Sequence, residues 1–140
     1  MNRKCTNLPF LVLMQTSKEI QERMKLEMTK YNLSITEFSV LEVLYHKGKQ
    51  TIQQIGHRIL ISSGSMTYVI DRLEQKGILN RSACPNDRRA IHVALTDHGK
   101  SLMEEIMPKH QELVDNMFGS LTSNESEELV KLLKKVSSER

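Results

Sequence analysis

The sequence predicts a mainly α-helical fold with one small β-hairpin past the middle of the chain. Three observations carry this. Apolar residues recur at helical spacing in six segments. Capping boxes precede three of them, at Ser34-x-x-Glu37, Thr51-x-x-Gln54 and Thr122-x-x-Glu125. The apolar period shifts to strict alternation only after Gly77.

Each element has its own signal. A long first helix runs from Leu8 to about Tyr31, with Leu13, Ile20, Met24 and Met28 as its stripe. Pro9 sits near its start, where a helix tolerates it. Ser34 opens the second helix, with Phe38, Leu41, Val43, Leu44 and Tyr45, ending near Gly48. Thr51 opens a short third, with Ile52, Ile55, Ile59 and Leu60. Ser62-Ser63-Gly64-Ser65 offers several N-caps for a fourth, with Met66, Val69, Ile70 and Leu73, closed by Gly77. Ile78 to Cys84 and Ala90 to Leu95 read as two strands around the turn-rich basic tip Pro85-Asn86-Asp87-Arg88-Arg89. Thr96-Asp97 caps a long fifth helix with Leu102, Ile106, Leu113 and Met117, which Pro108 should bend. Thr122 opens the last, with Leu129, Leu132, Leu133 and Val136.

The 140 residues suit one domain spanning 1–140. With 39% hydrophobic and 26% charged residues, the chain is neither disordered nor membrane-spanning. The apolar run Phe10 to Met14 is too short for a secretory leader, so a cytoplasmic protein is expected. Two cysteines, Cys5 and Cys84, fit a reducing compartment. Charge is unevenly placed. Between Tyr45 and His92 there are eight Lys and Arg against three Asp and Glu, or +5; the remaining 12 against 14 leave −2. A central basic module between neutral or acidic flanks is a footprint for a polyanion.

Two short helices and a following hairpin make a winged helix-turn-helix core. The fourth helix begins with small polar residues, and such a tip can enter a major groove. Its N-terminal N–H groups and dipole favour phosphate. Ser63, Ser65, Thr67, Tyr68 and Arg72 fall off the apolar stripe and should face outward. Arg72 could bond guanine or a phosphate. The serines alone would suggest only N-capping; the basic hairpin that follows adds weight. Arg88 and Arg89 at its tip suit insertion into a minor groove, with Asp87 shaping the turn.

These residues resemble the MarR family of bacterial transcriptional regulators. The likeness rests on Leu33-Ser34-x-x-Glu37-Phe38-x-Val40-Leu41, Ile52-x-x-Ile55-Gly56 and Ser63-Gly64-Ser65-Met66-Thr67. It continues in Leu73-Glu74-x-x-Gly77-Ile78-Leu79 and in Asp87-Arg88-Arg89 leading to Leu95-Thr96-x-x-Gly99. The resemblance implies a winged core over about 33–98, flanked by N- and C-terminal dimerisation helices over about 5–31 and 97–138. It implies a homodimer on a pseudo-palindromic double-stranded DNA operator, usually as a repressor. It makes Ser63, Ser65, Thr67, Tyr68 and Arg72 the recognition-helix contacts and Arg89 the minor-groove residue; Arg88 stands where the family varies. The apolar stripes of the end helices also point to dimerisation without the likeness, because the winged core cannot cover them all.

Three kinds of signal could release the DNA. A small hydrophobic or phenolic effector would, by the likeness, bind between the dimerisation helices and the core, with Leu13, Met14, Met24, Phe38, Leu41, Tyr45 and Met107 as lining candidates. Thiol oxidation is the alternative, through Cys5, which follows Arg3-Lys4, or Cys84, near Arg88 and Arg89. A metal is not expected, since no two of the five histidines stand at i, i+4 spacing. No enzyme motif or cofactor signature appears, so neither catalysis nor a cofactor is expected. A winged helix used only for protein contact remains the other class.

Overall fold

The computed structural model describes residues 7–59 and 65–137, with Arg88 described by its backbone alone. Six helices and a three-stranded sheet follow one another as α1 (Leu8–Thr29), α2 (Ile35–Lys47), β1 (Gln50–Thr51), α3 (Ile52–Arg58), α4 (Met66–Gln75), β2 (Leu79–Cys84), β3 (Asp87–Leu95), α5 (Asp97–Met117) and α6 (Ser123–Val136). Two compact units divide between Met107 and Pro108.

Local chemistry sets the boundaries. Asn7 caps α1 through Phe10 N–H. Asn32, at φ 58°, ends it: Leu33 N–H reaches Met28 O and Asn32 N–H reaches Thr29 O, a Schellman closure with asparagine in the left-handed position. All three capping boxes form in both directions. Gly77, at φ 74°, closes α4 as Asn32 closes α1, through Ile78 N–H to Leu73 O and Gly77 N–H to Glu74 O. The cap of α4 is Ser65, whose side chain makes no capping bond. Ser62, Ser63 and Gly64 lie outside the described residues.

The core of the first unit gathers Met28, Leu33, Phe38, Val40, Leu41, Leu44, Ile55, Val69, Ile70, Leu73, Ile78, Leu79, Val93, Met103 and Ile106. Each large side chain removed from water contributes about 1.5–3 kcal/mol. Leu113, Met117 and Leu129 of the second unit are half-buried, and α6 buries no residue fully.

The sheet order is β1-β3-β2, all antiparallel. Strand β1 is absent from the sequence-based expectation: two residues carry no period. The wing also differs. Only Pro85 and Asn86 form the turn, and Asp87, Arg88 and Arg89 already belong to β3 rather than to a loop. The reason is a shift of register. Ala83 faces Ile91 but Cys84 faces Asp87, so residues 88–90 have no partner across the ladder. Such a bulge re-aims side chains away from the regular pleat. Pro108 lies inside α5, which runs through it as one helix.

Candidate nucleic-acid interface

Helix α4 has a divided surface. Val69, Ile70 and Leu73 are buried in the core and Met66 is half-buried. Ser65, Thr67, Tyr68 and Arg72 are exposed, as their position off the stripe predicts. Tyr68 is 60% exposed, far more than a core tyrosine. One polar face therefore stands free on a helix whose other face is fixed.

Arg72 is not a loose cation. Its Nη1 donates to the Tyr68 hydroxyl at 3.3 Å, and its Cζ lies 5.9 Å from the Tyr68 ring centroid. Its Nε stands 3.8 Å from Glu37 Oε2. The Tyr68 hydroxyl first, and then the charge of Glu37, raise the Arg72 pKa above its ordinary value, so it stays cationic throughout the working pH range. Glu37 is buried at the base of α2. Its Oε1 accepts the Ser34 N–H at 2.8 Å, and its Oε2 accepts from Lys76 Nζ at 3.1 Å. Lys76 Nζ also donates to Asn32 O at 2.8 Å. The sequence shows Glu37 only as a capping residue; its two cationic partners come from the far end of α4.

The wing is tied to the same helix. Arg81 of β2 pairs with Asp71 and lies 3.7 Å from Glu74, both on α4. Glu74 Oε2 also accepts the Arg81 N–H at 3.2 Å. At the tip, Asp87 Oδ1 accepts the Arg89 N–H at 2.9 Å, which holds the bulged segment in shape. Arg89 is exposed. Of Arg88, the structure places the backbone in β3.

The effector candidates differ widely in burial. Phe38 and Leu41 are fully buried core. Met24 and Met107 pack half-buried against that core. Leu13 and Met14 are exposed on α1, and Tyr45 stands exposed with its ring edge-on to His46. Met14 lines an open groove of about 300 Å³, beside Ser17, Lys18 and Ile35. Cys84 is a free, half-buried thiol beside the bulge. Ser63 and Cys5 lie outside the described residues. Among the described residues, no helix is long and apolar enough to cross a membrane, and no three His, Cys, Asp or Glu side chains cluster to hold a metal.

Residues 33–91 match the MarR family model. The chain is 45% identical over 127 residues to the HTH-type transcriptional regulator MhqR of Bacillus subtilis (strain 168), covering 91% of this chain and 88% of that one. The structure is similar to that of Bordetella bronchiseptica BpsR, studied for regulation of its DNA binding by 6-hydroxynicotinic acid. The TM-score is 0.83 at 26% identity, over 98% of both chains. It shares its fold with a MarR family regulator from Streptomyces coelicolor solved in complex with DNA, at TM-score 0.85 and 19% identity over 98% of this chain and 90% of that one. These relatives are transcription regulators, not enzymes. The chain belongs to the MarR family of transcriptional regulators.

Proposed function

We propose that the protein is a sequence-specific repressor that binds a pseudo-palindromic operator as a homodimer. The observation that carries this reading is the free polar face of α4, with Thr67, Tyr68 and Arg72 outward, locked to a wing that exposes Arg89. The whole chain acts as one domain: about 33–98 reads DNA, and about 5–31 and 97–138 dimerise. Exposed apolar side chains support the second role. Leu8, Phe10, Leu11, Val12 and Met14 on α1 are 43–65% exposed, and Val130, Leu132, Leu133 and Val136 on α6 are 39–73% exposed. Such patches on a single chain mark a surface that another chain covers. Two-fold pairing sets two recognition helices about one DNA turn apart.

Ser63, Ser65, Thr67, Tyr68 and Arg72 are assigned to the major groove, and Arg88 and Arg89 to the wing contact, with Asp87 shaping it. A small hydrophobic or phenolic effector releases the DNA. The regulation of BpsR by a small aromatic acid supports this. Leu13, Met14, Met24, Phe38, Leu41, Tyr45 and Met107 are its candidate lining residues.

The test is selection of bound duplexes from a randomised pool, followed by titration with phenols, quinones and hydrophobic drugs. The reading expects an inverted repeat and at least one compound that releases it. Recovery of unrelated sequences would refute sequence-specific binding, and a panel without effect would refute the effector class.

A further inference from the structure

We propose that Glu37 is a positioning residue for DNA binding, acting through Arg72 of α4. This rests on the assignment of Arg72 to the DNA-facing surface. Glu37 has a side chain only 6% exposed, whereas Arg72 is 46% exposed. A buried carboxylate is costly unless every lone pair is used. Its Oε1 is taken by the cap of α2, and its Oε2 by Lys76 and, more distantly, by Arg72. Lys76 already neutralises the single negative charge and is anchored a second time on Asn32 O. Arg72 is therefore not needed to satisfy Glu37. The pairing instead acts on Arg72.

The geometry is one-sided. Glu37 holds the Nε edge of the guanidinium, and the Tyr68 hydroxyl holds Nη1. A guanidinium has five N–H donors in a rigid fork. With the Tyr68 hydroxyl on Nη1 and Nε facing Glu37 at ion-pair distance, both N–H groups of Nη2 and one of Nη1 remain for a ligand. An arginine fixed before contact loses less side-chain freedom on binding. Glu37, at the N-terminus of a different helix, thus determines which way the fork of α4 points. The chain has other ways to cap α2, since glutamine at the third helical position also closes a capping box. That separates the cap from the charge, and Glu37→Gln removes only the charge.

The experiment is a double-mutant cycle on DNA affinity. The probe is a duplex that the wild-type protein itself selects from a randomised pool. Affinities are measured for the wild type, Glu37→Gln, Arg72→Ala and the double variant, with a thermal melt of each at equal concentration. Arg72→Ala is expected to weaken binding about tenfold or more. Glu37→Gln is expected to weaken it about three- to tenfold with Arg72 present and to have no further effect once Arg72 is alanine. Equal losses in both backgrounds would mean that Glu37 acts through stability alone, and the inference would fall. An unchanged affinity for Arg72→Ala or for Glu37→Gln overturns it as well. A wild type that selects no duplex refutes the DNA-binding reading itself, and this inference with it. Should Glu37→Gln fail to fold, the wild type supplies the test. The ¹⁵N resonance of Arg72 Nε should report a guanidinium fixed in the free protein, and free rotation there overturns the proposal.

Discussion

Replacing Gly99 by alanine tests how α5 is seated on the winged core. Gly99 is buried in the first turn of α5. A Cβ there would overlap the carbonyl oxygen of Ile78, and would lie 3.1 Å from that carbonyl carbon and 3.2 Å from Ile78 Cγ2. The obstacle is backbone, so no change of rotamer relieves it. The same carbonyl accepts the Thr96 N–H at 3.0 Å. Thr96 Oγ1 accepts the Gly99 N–H at 3.0 Å and donates to Gly77 O at 2.7 Å. Gly99→Ala must push α5 off the turn between α4 and β2. Overpacking of this kind costs about 1–3 kcal/mol. Two strained hydrogen bonds add about 1 kcal/mol each. The total, about 3–5 kcal/mol, lowers Tm by roughly 10–17 °C in a chain of this size. Thermal melts at fixed protein concentration measure it. Gly56→Ala is the control, because nothing lies within 4 Å of its Cβ. On exposed α3 it should gain about 0.5–1 kcal/mol. A Gly99→Ala variant that melts with the wild type would refute the close approach.

Phe38→Ala empties a fully buried site. It should cost about 3–5 kcal/mol in urea unfolding; a loss below 1 kcal/mol would show the site to be loosely packed. Arg89→Ala should weaken operator binding by about 1–3 kcal/mol, whereas equal affinity at moderate salt would remove the wing from the interface. Leu11→Glu places a charge in the exposed apolar segment of α1. Light scattering should then find a lower mass than for the wild type, which is expected to be a dimer, and an unaltered mass would locate the interface elsewhere.

Local signals were the legible ones. Each capping box spans four residues and needs no tertiary partner, so Ser34, Thr51 and Thr122 announce their helices directly. The outward face of α4 was legible for the same reason, since Tyr68 and Arg72 simply miss a regular apolar stripe. Register was not. The turn chemistry of residues 85–89 suggests a loop, but pairing of Cys84 with Asp87 carries the two arginines into β3 on a bulge. Strand β1 exists only because β3 offers Val93 and His92 to Gln50 and Thr51. The stripe of α2 likewise could not separate lining from core: Phe38 and Leu41 are sealed, while Tyr45 on the same helix is exposed. Glu37 is legible as a cap and hidden as a partner of Arg72 and Lys76, because nothing local joins α2 to α4.

The most direct measurement is fluorescence anisotropy of the purified protein on its selected duplex and on a scrambled one, across a salt series, with the stoichiometry determined at saturation. Sequence-specific recognition by a dimer would give tight binding to the selected duplex alone, with two protomers per site and a preference that survives moderate salt. Weak binding, equal on both duplexes and abolished by modest salt, would leave only attraction to phosphate and would contradict it.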